Sequence, residues 1–246
     1  MVERLSGGAV RVIDVSHEVK SFSVYAGAYT LLASLDYAPS GTVFLVVVDP
    51  GVGGPRDPVA IETRRYYLVG PNNGVLWPAA AEDGLVRAVR LDNEAFWLKP
   101  TSHTFHGRDI FAPAATMLAM GVDIEALGSP LPPERLQRLE LVSVEERGDA
   151  LCLKAVYVDK FGNVALSARR REGVWERLCG DGGAVEVCSD GRCIAARCAR
   201  TFSEVGRGEA ALYYNSFGFL EVAVYMGSAA DALGVEEGGE VCLRGR

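Results

Sequence analysis

Thr42-Val-Phe-Leu-Val-Val-Val-Asp49 is an apolar run that ends on a carboxylate. A strand with one wet face would alternate apolar and polar residues. A run without alternation fits a strand covered on both faces, as inside an α/β layer. On its N-terminal side, Ser23 to Leu35 carries Val24, Ala28, Leu31, Leu32 and Leu35 at helical spacing, and Pro39-Ser-Gly41 breaks the chain between the two. Further back, Val10 to Ser16 alternates and is rich in β-branched residues, which predicts another strand. On the C-terminal side, Pro58 to Thr63 and Tyr66 to Val69 read as two strands around a turn at Arg64-Arg65. Gly70-Pro-Asn-Asn-Gly74 is a dense turn signal and precedes a short helix through Trp77 and Ala81. Asp109 to Met120 places Ile110, Ala114, Met117 and Leu118 on one helical face. Strands alternating with helices predict an α/β domain over residues 1–130 with a mostly parallel sheet.

Gly128-Ser-Pro-Leu-Pro-Pro-Glu134 reads as a linker, and the texture changes after it. Leu139 to Val144, Ala150 to Val158, Val164 to Ala168, Ala184 to Cys188, Glu209 to Tyr214, Phe219 to Val224 and Glu240 to Leu243 look like short strands split by Gly-rich turns. That pattern predicts a small all-β domain, barrel or sandwich, over 138–246.

Bulk composition excludes some functions. The chain has 246 residues, 49% of them apolar, and a formal net charge of −7. No basic stripe offers to neutralise phosphates, so nucleic acid is not an expected partner. No apolar run reaches the length of a membrane span, and Met1-Val-Glu-Arg-Leu-Ser-Gly-Gly lacks an apolar signal core, so the expected location is cytoplasmic. Six cysteines (152, 179, 188, 193, 198 and 242) fall in the last hundred residues, with no Cys-x-x-Cys pair and no histidine after 106. Buried thiols or structural disulfides fit better than a metal site. Intracellular disulfides occur in hyperthermophiles. One glutamine and five asparagines in the whole chain point the same way, toward a hot source.

The residues able to carry chemistry lie in two segments. Asp49 ends a buried strand, where open α/β sheets place their ligands. Gly51-Val-Gly-Gly54 lets backbone approach a ligand, and Arg56 can orient the carboxylate. The loop lacks the Gly-Lys-Ser/Thr ending of a phosphate loop. Ser102-His-Thr-Phe-His-Gly-Arg-Asp109 holds two of the three histidines, His103 and His106, in a polar loop suited to proton transfer near neutrality. Asp159-Lys-Phe-Gly-Asn163 and Asn215-Ser-Phe-Gly218 are polar-aromatic turns; Phe161 and Phe217 could stack on a flat ring such as adenine.

Six segments carry a resemblance because they occur in this order: Val12-Ile-Asp-Val-Ser-His-Glu-Val19, Val46-Val-Val-Asp-Pro-Gly-Val-Gly53, Gly70-Pro-Asn-Asn-Gly-Val-Leu76, Ser102-His-Thr-Phe-His-Gly-Arg-Asp-Ile-Phe-Ala-Pro113, Asp159-Lys-Phe-Gly-Asn163 and Asn215-Ser-Phe-Gly-Phe-Leu-Glu-Val-Ala-Val224. Together they resemble the adenosine-forming S-adenosylmethionine hydrolases, also called hydroxide adenosyltransferases, relatives of the fluorinase and chlorinase. The resemblance implies attack of water on C5′ of S-adenosylmethionine, releasing adenosine and L-methionine, with no cofactor and no metal. It implies an α/β domain followed by a barrel-like β domain, assembled as a homotrimer with active sites at subunit interfaces. It implies catalytic roles for Asp49, Arg56 and His106. It also implies substrate contacts from Phe22, Asp159, Phe161, Asn163, Ser216 and Phe217, and from Ser228 and Ala229 in the turn Gly227-Ser-Ala229. The family opens with a strand whose aspartate holds the ribose hydroxyls, and Met1 falls beyond it, so the chain is expected to lack that strand. Two alternatives stand beside this reading: a halide-dependent, chlorinase-like adenosyltransferase, and an inactive protein that binds S-adenosylmethionine or adenosine. Against halide, Asp49 stands where the fluorinase has a tyrosine, and the insertion that halogenating relatives carry before Pro-Asn-Asn-Gly is missing.

Overall fold

The computed structural model describes residues 1–180 and 182–245. Two compact units divide them, Met1–Leu139 and the chain from Glu140 onward.

In the first unit α1 (Val2–Ser6) and α2 (Val24–Ser34) precede β1 (Val43–Leu45), β2 (Pro58–Thr63), β3 (Tyr67–Pro71), α3 (Trp77–Asp83), β4 (Leu85–Arg90), α4 (Ala112–Ala119) and β5 (Ser129–Pro130). Ser23 starts α2, its side chain accepting from the Ala26 N–H. The strands form one sheet in the order β1-β3-β2-β4-β5. Only β1 and β3 are parallel; β2 pairs antiparallel with β3 and β4, and β4 with β5. The sheet is therefore mixed, which corrects the expectation of a mostly parallel one. The reason is the Arg64–Tyr66 connection: so short a link closes a hairpin, whereas a parallel pair needs a crossover of a dozen residues or more. Val59, Ala60 and Ile61 are successive and all buried, so β2 is covered on both faces. Ile110, Phe111, Ala114 and Leu118 pack on one face with Val69, Val89 and Leu91.

Two predicted strands are absent from the ladders. Val10–Ser16 pairs with nothing among the described residues, and Val12, Ile13 and Val15 are exposed. Alternation gives a strand only where a partner edge accepts its backbone groups. Leu139–Val144 is irregular, held through the Ser143 N–H donating to the Ser167 carbonyl at 2.8 Å. The apolar run from Thr42 is laddered only over Val43–Leu45, although the Val46 N–H still reaches the Val69 carbonyl at 2.9 Å.

The second unit is a closed barrel. Its elements are β6 (Glu145–Arg147), β7 (Ala150–Val158), β8 (Val164–Arg169), α5 (Val174–Leu178), β9 (Ala184–Ser189), β10 (Arg192–Cys198), β11 (Ala210–Tyr214), β12 (Phe219–Val224), α6 (Ala229–Leu233) and β13 (Glu240–Gly245). The order β13-β9-β10-β11-β12-β8-β7 returns to β13 through the β13–β7 pairing, and β6 adds outside β7. Closure leaves no open edge on those seven strands. Leu153, Val187, Leu212, Val222 and Val241 fill the interior. All six cysteines are paired, as Cys152–Cys242, Cys179–Cys198 and Cys188–Cys193.

Candidate active site

Asp49 lies just beyond β1, and its loop is held at both ends. The Asn73 amide donates to the Val48 carbonyl at 2.8 Å, so the Pro-Asn-Asn-Gly turn fixes the backbone leading into Asp49. Gly53 has φ of +76° and lies against the loop that carries the histidines: a Cβ there would come 2.5 Å from the His103 carbonyl oxygen. Only glycine satisfies both conditions.

The Gly loop returns Arg56 onto Asp49. Arg56 Nε donates to Asp49 Oδ1 at 3.0 Å, and Nη2 donates to Oδ2, a two-point pairing of guanidinium and carboxylate. The side chains of Arg56 and Asp49 are only 10% and 5% exposed. Arg56 Nη2 also lies 2.9 Å from His106 Nδ1. A guanidinium has no acceptor, so Nδ1 must accept and the ring proton must sit on Nε2. Burial, then the nearby Arg56 cation, pushes His106 below the usual histidine range, with Asp49 opposing in part. Arg56 Nη1 is buried and has no hydrogen-bond partner among the described residues. The Phe111 ring packs against the guanidinium, with Cζ 5.3 Å from its centroid.

The turn on the C-terminal side of His106 sets its position. Gly107–Phe111 forms a wide π turn that runs into α4. Asp109, fully buried in that turn, accepts from the Ser102 N–H at 2.8 Å and from Arg108 Nε and Nη2 at 2.6 and 2.9 Å. The Arg108 hydrogen bonds hold its carboxyl below the usual range. Asp109 thus ties the start of the loop to its end. His103 is exposed and contributes its carbonyl to the Gly53 contact. His17 is exposed beside Asp14, 3.2 Å away. Phe22 sits at φ +69° and is 78% exposed, in a groove that it lines together with Asp49, Val47 and Leu31. The structure therefore brings Asp49, Arg56 and His106 into direct contact and sets Phe22 on the groove beside Asp49.

The remaining predicted residues belong to three turns of the second unit. Asp159 Oδ1 accepts from the Phe161 and Asn163 N–H groups, each at 2.9 Å, and Oδ2 from the Asn163 side chain at 2.9 Å. That leaves the Phe161 ring 66% exposed. Gly162, at φ +81°, packs so closely on Ser228 that no side chain fits, and its carbonyl accepts from the Ala230 N–H at 3.0 Å. The 159–163 turn and the Ser228-Ala229 turn are thereby joined. The third turn is shaped by Asn215, whose Oδ1 accepts from the Phe217 and Phe219 N–H groups at 3.0 and 3.1 Å and exposes Ser216 and Phe217.

Sequence reasoning does not single out Asn73, Asp109 or Glu221. Glu221 accepts from the Tyr213 hydroxyl and from the Asn215 amide, the latter at 2.8 Å. Burial raises its carboxyl, and the Asp159 charge adds to the rise. It stands on β12 directly opposite Tyr213 on β11, and its one signal in the sequence is that it is the single charged residue in the apolar run Phe219 to Val224.

The fold and the site define a two-domain protein: a mixed α/β unit with an Asp–Arg–His contact beyond a strand end, and a closed β-barrel bearing polar-aromatic turns. Residues 5–128 match the SAM hydroxide adenosyltransferase N-terminal domain and residues 153–242 the C-terminal domain of the same family. The chain belongs to that family. It is 42% identical to the (R)-S-adenosyl-L-methionine hydrolase of Thermus thermophilus over 99% of this chain and 91% of that one. It is 32% identical to the protein of that name from Methanocaldococcus jannaschii over 92% of this chain and 80% of the relative. The fluorinase of Actinopolyspora mzabensis is more distant, at 24% over 93% and 85%. The crystal structure of an uncharacterized conserved protein from Thermotoga maritima superposes with a TM-score of 0.86 at 33% identity, over 99% of this chain and 92% of the other.

Proposed function

We propose that the chain hydrolyses S-adenosyl-L-methionine at C5′ to adenosine and L-methionine. The observation that carries this reading is the contact of the nearly buried Asp49 and Arg56 side chains with the half-buried His106, which leaves one buried guanidinium donor, Arg56 Nη1, without a partner among the described residues. Relatives at 32–42% identity bear the name (R)-S-adenosyl-L-methionine hydrolase, and that supports the substrate.

The chemistry asks little of the protein beyond placing a water. The leaving group is a neutral thioether departing from a sulfonium, so no acid, metal or cofactor is invoked. What is required is a water held in line with the C5′–S bond and shielded from solvent. Asp49 offers carboxylate lone pairs that can accept from that water. Arg56 Nη1 and the His106 Nε2–H can donate to it and stabilise hydroxide character as attack proceeds. With Nδ1 held by Arg56, His106 is a donor in the resting arrangement. For it to take a proton, that contact must be released.

Asp159, Phe161, Asn163, Ser216, Phe217, Ser228 and Ala229 would bind the nucleoside and methionine ends of the substrate, and Phe22 would lie against the nucleoside. We further propose a homotrimer in which the first unit of one subunit works with the second unit of its neighbour; the family resemblance supports this. On sequence grounds the enzyme is cytoplasmic and from a hot source. Scarce amides support the latter, and three disulfides accord with it. No helix among the described residues is long and apolar enough to cross a membrane.

The test is incubation with each sulfonium epimer of S-adenosylmethionine, with and without chloride. Adenosine and methionine in both conditions are expected. A halogenated nucleoside as main product, or binding without turnover of either epimer, would refute the hydrolase reading.

A further inference from the structure

Four of the six cysteines stand in one row across four neighbouring barrel strands. Cys152 on β7 lies directly opposite Cys242 on β13, Cys242 lies directly opposite Cys188 on β9, and Cys188 directly opposite Cys193 on β10. All three pairings are antiparallel, so the four side chains point to the same face. That face is the outside: Val241 and Leu243, flanking Cys242, are buried in the barrel, whereas Glu240 and Arg244 are exposed. The bonds join the two ends of the row, as Cys152–Cys242 and Cys188–Cys193. The middle pair, Cys188 and Cys242, holds the same opposite register as the two bonded pairs and is not bonded.

Access runs in one direction along the row. Cys193 is exposed, Cys188 and Cys242 are half-buried, and Cys152 is buried. Cys188 and Cys242 line one surface groove with Asp190, Glu240 and Arg244. The third bridge, Cys179–Cys198, lies off the row.

We propose that this row is a thiol–disulfide exchange site that takes a dithiol at its exposed end and passes the bond inward by one strand. A thiolate of the dithiol attacks Cys193 Sγ. The Cys188–Cys193 bond breaks, and its electron pair leaves on Cys188 Sγ. The second thiol of the reductant attacks its own mixed disulfide, releasing Cys193, which is protonated from water. The dithiol ends as a disulfide, and its two electrons have reduced one protein bond. The Cys188 thiolate then attacks Cys242 Sγ across the middle of the row. The Cys188–Cys242 bond forms, the Cys152–Cys242 bond breaks, and the pair leaves on Cys152, which takes up a proton. The second step is redox-neutral, because one thiol and one disulfide become one disulfide and one thiol. Its result is that the covalent tie across the β7–β13 seam moves to β13–β9.

The row is tested on the whole protein by limited reduction with equimolar dithiothreitol, acid quenching, alkylation and peptide mass mapping. The expected product carries label on Cys152 and Cys193, a new Cys188–Cys242 bridge and an intact Cys179–Cys198 bridge. Label on Cys188 and Cys193 with Cys152–Cys242 retained would overturn the proposal. Two variants give an independent check without reductant. Cys193→Ser leaves a thiol on Cys188 beside Cys242, so Cys188–Cys242 should form and free Cys152. Cys188→Ser leaves its thiol on Cys193, which faces no bridge on the row, so Cys152–Cys242 should persist. Persistence of Cys152–Cys242 in both variants would equally overturn it.

Discussion

His106 accepts a hydrogen bond from Arg56 at Nδ1 only while its ring is neutral, and both burial and the guanidinium favour that neutral form. A histidine whose folded pKa is depressed keeps its neutral contacts above the unfolded value and loses them as pH falls through the folded one. We therefore predict that the acid limb of kcat/KM lies below the ordinary histidine value of 6.5. A pH–rate profile checks this; a limb above that value contradicts the Arg56 contact. Asp49→Ala should lower kcat by about 10²–10⁴-fold with little change in KM, the range for loss of a group that orients or activates the nucleophile. Single-turnover kinetics would show it, and a wild-type rate would remove Asp49 from the mechanism. Gly53→Ala belongs to the same scale. Its methyl meets the His103 carbonyl at a left-handed φ, and the two loops must part. We expect a loss of about 1–3 kcal/mol of stability, measured by denaturant unfolding, together with reduced activity.

Among the elements, the loop from Ser102 to Asp109 depends on one buried carboxylate. Asp109→Ala leaves the Ser102 N–H and the Arg108 guanidinium without their acceptor. The Arg108 side chain is 44% exposed and can turn to water, so the loss falls on the half-buried Ser102 N–H. It lies toward the low end of the about 1–3 kcal/mol that an unsatisfied buried donor costs. The expected outcome is a lower melting temperature and a larger fall in kcat than in substrate affinity, because His106 loses its setting. Elements also show what is legible in the sequence. Ala150–Val158 and Phe219–Val224 are strands over the residues predicted, because their β-rich composition and flanking turns agree with the barrel. β10 is not among the predicted strands, since Arg192-Cys-Ile-Ala-Ala-Arg-Cys198 has two alanines and two arginines and a single β-branched residue. The signal that could find it is Asp190-Gly191, whose φ values of 46° and 78° make the tight turn that joins it to β9. The first sheet is legible only in part: the short Arg64–Tyr66 link carries the antiparallel turn, whereas the apolar run from Thr42 says nothing of which way its neighbours run. Nor is that run covered on both faces as expected, with Phe44 buried but Leu45 and Val47 exposed. In the site, Asp49, Arg56 and His106 are legible as residue types in polar loops. Asn73 and Asp109 are not, because each acts on backbone that only the folded chain brings near.

In the molecule as a whole, the N-terminal set and the C-terminal turns are each built within their own unit, and the proposed trimer joins them between subunits. Mixing separates this from sites made within one chain. Asp49→Ala and Asp159→Ala subunits, each inactive or weak alone, should recover activity when unfolded and reassembled together. With random assembly in a ring, about a quarter of the sites draw both intact halves. No recovery in trimers shown to be mixed would place both halves of a site in one subunit.

In the proposed reaction, water attacks C5′ under the direction of Asp49, Arg56 and His106. Turnover of S-adenosyl-L-methionine in ¹⁸O-labelled water, with both products read by mass spectrometry, reports on that step without an intermediary. Adenosine should carry the heavy oxygen at its 5′-hydroxyl, and methionine should carry none. Unlabelled adenosine, or label in the amino-acid product, would rule out attack of water at C5′.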